Sequence, residues 1–178
     1  TAIVDGNVIG KCRRQAFIRY ACDNYVFSER YAGYEDFYKD IKDLRIPTST
    51  YSHWIFKQGD LYEQFCIDIA KEAGIYIADQ VSIYIPAYNV SGKIDLITIN
   101  PETGLYQIVE VKSIYGFNAN SVLGTDAQQR NNRTLGTPRE SHLMQIGIYQ
   151  WWYGNSEEKF GPGLLVYGSR DTGRYGEF

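Results

Sequence analysis

The apolar residues of this chain follow two rhythms, and the change from one to the other marks the elements. From residue 53 to 73, Phe56, Leu61, Phe65, Ile69 and Ala73 recur at near-helical spacing, and Gly74 is a natural stop. The preceding Ile46-Pro-Thr-Ser-Thr50 breaks structure and offers a Ser or Thr as helix cap. Over residues 75–88 the rhythm falls to two, with Ile75, Ile77, Val81, Ile83 and Ile85, and Pro86 ends that strand or marks an edge. Residues 90–99 alternate and are rich in β-branched side chains. Asn100-Pro-Glu-Thr-Gly104 is turn chemistry, and residues 105–112 read as the return strand. Residues 113–138 carry little periodicity and predict a long loop holding Asn118, Asn120, Gln128, Gln129, Arg130, Asn131, Asn132 and Arg133. A helix follows from Pro138 to about Tyr153, then a strand at 164–167, a turn at 169–173 and a last strand from Arg174. Upstream, residues 11–20 predict a helix with Arg13, Arg14 and Arg19 against an apolar stripe of Ala16, Phe17 and Tyr20. Residues 28–45 are polar, Tyr-rich and partly helical. No repeat or linker divides the chain, so one domain over residues 1–178 is the simplest account.

Composition narrows the classes. Hydrophobic content of 44% with 22% charged residues over 178 positions suits a folded globular protein. No apolar run has the length of a membrane span and no export signal opens the chain, so an intracellular, cytoplasmic location is expected, for a protein encoded by a cell or by a phage. A net charge of −3 and a pI of about 5.4 argue against a whole-surface nucleic-acid binder, while leaving room for a local basic groove. Three cysteines, Cys12, Cys22 and Cys66, fit a reducing interior better than a disulfide framework. With only His53 and His142, a histidine-rich zinc site or a Ser-His-Asp triad is not expected. A metal would find oxygen ligands, which suit Mg²⁺ or Mn²⁺.

The hairpin holds the chemistry. If Asn100 and Leu105 flank the turn as a pair, paired residue numbers add to 205, which sets Asp95 opposite Glu110, with Lys112 on the same face. Two carboxylates facing each other at roughly 5 Å repel. Among Ile, Val and Leu neighbours, a cation between them makes sense of the arrangement; the alternative is an edge hairpin whose charges face water. Glu63 on the first long helix is unremarkable alone and matters only beside this hairpin. Gln145 and Tyr149, four apart, project from one helix face. Arg13, Arg14, Arg130 and Arg133 are of the type that contacts a nucleic-acid backbone, and equally of the type that covers a solvated surface.

Together the motifs Gly92-Lys-Ile-Asp95, Ile108-Val-Glu110-Val-Lys112, Gly59-x-x-x-Glu63 and Gln145-Ile-Gly-Ile-Tyr149 resemble the PD-(D/E)XK nuclease superfamily, in its RecB-like branch. That branch includes the CRISPR-associated RecB-like nucleases, and Cys12-Arg-Arg-Gln-Ala-Phe17 is similar to its Cys-Pro-Arg opening. The likeness spans about residues 10–168. It implies an α/β fold, a central mixed β-sheet flanked by α-helices, with the site where the Asp95 and Glu110 strands splay apart. It also implies a DNA nuclease, exonuclease-like or end-processing. A sequence-specific endonuclease or an inactive nucleic-acid-binding subunit of the same fold are the alternatives. Asp95, Glu110, Glu63 and the Val111 carbonyl would bind one or two Mg²⁺ or Mn²⁺ ions. Lys112 would act on the attacking water, and Gln145 with Tyr149 would orient the site or touch the substrate. Glu63 stands where the branch often has His. No cysteine follows Cys66, so no iron–sulfur cluster is expected. DNA, single- or double-stranded, is the expected partner, with a helicase, recombination, phage or CRISPR protein beside it.

Overall fold

The computed structural model describes residues 4–5, 49–88, 90–125, 136–153, 156 and 159–178. The segments 11–20 and 28–45 lie outside the described residues, as do Arg13, Arg14, Arg130 and Arg133. The described residues form a mixed β-sheet flanked by α-helices.

Helix α1 (Thr50–Glu72) begins where Ser49 takes the N-cap and its hydroxyl accepts the Ser52 N–H at 3.1 Å. It ends before Gly74, which has a φ of +69°. The buried face of α1 is not the stripe that the spacing picks out. Phe56, Leu61, Phe65 and Ile69 stand exposed, while Ile67 and Ala70 are buried and Tyr62 and Cys66 partly so. The helix carries apolar residues on two faces. The one that meets the sheet is set by Leu96, Val109 and Val111, against which Ile67 and Ala70 pack. Gly59 has nothing within 4 Å of where a Cβ would lie.

Strands β2 (Tyr76–Ile85), β3 (Val90–Ile99) and β4 (Tyr106–Ile114) form an antiparallel meander, and Pro86 ends β2 in a short 3₁₀ turn, Pro86–Tyr88. The β3–β4 turn is held by Asn100, whose Oδ1 accepts the Glu102 and Thr103 N–H groups at 2.9 and 3.2 Å, and it closes on Gly104 at φ +69°. The register matches the one read from the turn: pairs run from Ile99↔Tyr106 to Leu96↔Val109. The chain after β4 is not a continuous loop. Residues Gly116–Leu123 form helix α2, with Ala119, Val122 and Leu123 buried against Ile114, Leu165 and Tyr167. Eight residues with polar positions at 118, 120 and 121 give too little periodicity to announce a helix; burial of its three apolar residues holds it. Helix α3 (Glu140–Tyr153) precedes β5 (Leu164–Ser169), which runs parallel to β4, and β6 (Tyr175–Glu177) returns antiparallel to β5.

The sheet lies between α1 and α3. Ile108 packs with Ile94, Ile146 and Tyr149 on the α3 face, and its neighbour Val109 packs with Ile67 and Ala70 on the α1 face. One edge of β3 is forked. Strand β2 pairs with β3 along residues 90–98 and so occupies one edge. The two-residue strand β1 (Val4–Asp5) pairs with Val90 and Ser91, and β4 pairs with Leu96 to Ile99, so both share the other edge. Between them, among the described residues, Gly92 to Asp95 have no ladder partner on that edge, and the sheet opens.

Candidate active site

The opening is where the acids lie. The β3–β4 ladder ends at Leu96↔Val109, so Asp95 and Glu110 are the first residues past its end. The Asp95 side chain replaces the next ladder bond: its Oδ2 accepts the Val111 N–H at 2.8 Å. In an extended strand the N–H and C=O of one residue point the same way, so the Val111 carbonyl faces the same opening. Glu110 is wholly buried. Its Oε1 pairs with the Lys112 ammonium two residues on, and its Oε2 has no hydrogen-bond partner among the described residues. A buried carboxylate oxygen without a partner is costly and calls for an explanation.

From α1, Glu63 reaches the same cavity, which has a volume of about 590 Å³ and is also lined by Gln80, Lys93, Gln145 and Tyr149. The cavity thus gathers every sequence-predicted site side chain among the described residues. Burial pushes the Glu110 carboxyl up to about 7. Asp95 adds to that, and Lys112 opposes it. Glu63 is likewise pushed up to about 7, first by burial and then by the Asp95 charge. Asp95 is raised by burial, against the pull of Lys112 and the Val111 N–H. Three acids whose ionisation is disfavoured around one cavity mark it as the candidate functional site.

On the α3 side, Tyr149 and Gln145 are both buried, so neither is a helix-surface residue. Gln145 Nε2 donates to Tyr149 Oη at 3.2 Å, and Tyr149 also hydrogen-bonds the Lys93 backbone. Burial lifts the Tyr149 phenol to about 12, so it stays neutral. The ring lies against the α3 face of β3: a Cβ on Gly92 would lie 2.7 Å from Tyr149 Cε1 and 2.8 Å from its Oη. Gly92 is therefore the residue that lets the tyrosine reach the fork. His142 is engaged with the Tyr167 hydroxyl at 2.7 Å and does not line this cavity.

Gln80 was not marked by any motif. It has a φ of +51°, uncommon for a residue with a side chain, and its amide donates to Glu63 Oε1. Only the folded backbone reveals it, because glutamine carries no sequence signal for a left-handed conformation.

Among the described residues no group of three or more His, Cys, Asp or Glu side chains closes around a point able to hold a metal ion. The donors that face the cavity are oxygens: the carboxylates of Asp95, Glu110 and Glu63, with the unpartnered Glu110 Oε2 among them. This set suits a hard divalent cation. Among the described residues no helix is long and apolar enough to cross a membrane.

No protein-family model matches the chain, and no curated protein matches it. Among solved structures, the crystal structure of SSO0001 is similar at a TM-score of 0.42 and 19% sequence identity, covering 93% of this chain and 75% of that one.

Proposed function

We propose that the protein is a divalent-metal-dependent DNA nuclease with a restriction-endonuclease-like core, of the exonuclease-like or end-processing RecB kind. The observation that carries this is Glu110, fully buried at the fork of a β-sheet with one oxygen on Lys112 and the other unpartnered, beside Asp95. An oxygen kept unsatisfied in the interior is explained by a ligand that it awaits. Asp95 and Glu110 would hold Mg²⁺ or Mn²⁺, with Glu63 and the Val111 carbonyl as further oxygens. When bound, such an ion supplies Lewis-acid activation of water and phosphate.

The chain's own groups do the rest. Lys112, partly exposed and already at the acids, places a positive charge where a phosphodiester gains negative charge. Lys93, exposed on the cavity wall, adds attraction for a polyanion. Tyr149, hydrogen-bonded by Gln145, packs against Gly92 of β3, and both line the cavity where they would orient the site or touch the substrate.

The test is cleavage of end-labelled linear and circular DNA, each single- and double-stranded, with Mg²⁺, with Mn²⁺ and with EDTA. Cleavage is expected only with a divalent ion. Asp95→Ala and Lys112→Ala should each lower the rate by about 10²–10³-fold, with circular dichroism unchanged. Equal activity in the wild type and both variants, or cleavage persisting in EDTA, removes the assignment. Preference for ends over circles separates exonuclease from endonuclease.

A further inference from the structure

The strand facing the acid site is irregular at one level. Asp79↔Leu96 and Val81↔Ile94 are partners across β2 and β3, while Gln80 and Asp95, which lie between them, are not. Both strands change face there. Ile94 packs on the α3 side and Leu96 on the α1 side, two residues apart where alternation would keep them together. On β2, Val81 packs on the α3 side, whereas Asp79 lies 4.0 Å from Lys71 of α1. The backbone that makes this switch is Gln80, in the left-handed region at φ +51°. Outliers of this kind persist where the surroundings over-determine them, and they gather at functional sites.

The switch has two effects, both on acids. It leaves Asp95 outside the β2 ladder, with its side chain directed to the Val111 N–H instead. It also projects the Gln80 side chain toward α1, where its amide donates to Glu63 Oε1, seventeen residues away in sequence. Glu63 stands on a helix wall beside the exposed residues Asp60 and Gln64, with solvent on one side and the cavity on the other. Without a partner, a glutamate there would turn its charge outward to water, away from Asp95.

We propose that Gln80 is a positioning residue for the cation site: its side-chain amide holds the Glu63 carboxylate inside the cavity shared with Asp95 and Glu110. A neutral donor suits this task. A lysine or arginine would compete with the cation for the carboxylate, whereas an amide orients one oxygen and leaves the group's charge available. The inference rests on the proposed metal-dependent reading of the same site. Partners of this sort, one step behind the ligands, typically set metal affinity by 10–100-fold.

The experiment is titration of the full chain with Mn²⁺ alone, following the electron paramagnetic resonance signal of the free ion. Wild type, Gln80→Gly, Glu63→Gln and the double variant are compared. Glycine accepts the left-handed backbone and removes only the amide. Gln80→Gly is expected to weaken Mn²⁺ binding about 10-fold or more with an unchanged melting temperature, and to add nothing in the Glu63→Gln background. Mn²⁺ affinity equal to wild type in Gln80→Gly overturns the proposal, as do losses that multiply in the double variant. If Gln80→Gly does not fold, Gln80→Asn, which tolerates the same backbone but carries a shorter amide, takes its place under the same criteria. Wild type that binds no Mn²⁺ overturns this inference and the nuclease reading together. Wild-type binding that Asp95→Ala abolishes and Gln80→Gly leaves intact overturns this inference alone.

Discussion

Replacing Glu110 by Gln should make the metal-free protein more stable, although Glu110 lies at the centre of the proposed site. Its carboxyl titrates at about 7 in the folded chain against an ordinary 4.5, because burial and Asp95 both disfavour the charge. In the unfolded chain the carboxyl ionises near its ordinary value. Between these two values the folded state therefore binds more protons, and stability falls as pH rises from about 4.5 to about 7, then levels off. The difference corresponds to about 3 kcal/mol of destabilisation at pH 8. Glutamine keeps the shape and cannot ionise, so Glu110→Gln should gain about 2–3 kcal/mol at pH 8 and close to nothing below pH 4.5. For a chain of this size that is about 4–12 °C in Tm. The assay is thermal unfolding of both proteins in EDTA at pH 4 and pH 8. Adding Mn²⁺ at pH 8 should then raise the Tm of wild type and leave that of Glu110→Gln unmoved, because binding to the folded state alone stabilises it. A variant that melts at or below wild type at pH 8, or a gap that is the same at both pH values, would refute the reasoning.

Two further predictions concern glycines with opposite surroundings. Gly92→Ala puts a methyl 2.7 Å from the Tyr149 ring and should cost about 1–3 kcal/mol of stability. A urea-unfolding cycle with Tyr149→Ala should show coupling, and strict additivity of the two substitutions would contradict the contact. Gly59→Ala places its methyl in open space within a 23-residue helix and should gain about 1 kcal/mol, read as a higher Tm; a lower Tm would mean that the helix is strained there.

The hairpin was legible because its register depends on local chemistry. Asn100 and Gly104 set the turn, and counting back from it places Asp95 and Glu110 at one level. The Gln145–Tyr149 pair was legible for a similar reason, since helical spacing alone puts both on one face. What the sequence did not disclose depended on partners far along the chain. The face of α1 that buries Ile67 and Ala70 is chosen by β3 and β4, not by the richer stripe of Phe56, Leu61, Phe65 and Ile69. The α2 helix is held by tertiary burial rather than by propensity. Gln80 carries a backbone conformation that only its neighbours can enforce. The acids themselves read as two carboxylates facing each other across a ladder, whereas the ladder stops one pair short and Asp95 takes over its next hydrogen bond.

The forked edge of β3 also bears on self-association. Unpaired strand edges invite foreign strands, and proteins usually blunt them with charge, proline or a covering element. Here, among the described residues, the stretch of β3 without a ladder partner runs from Gly92 to Asp95, with β1 closing one end and β4 the other. Four residues fall short of the usual strand of about five or six, so an added strand would gain little pairing there. The sheet can therefore stay open beside Asp95 and Glu110 while presenting only a short template for edge pairing.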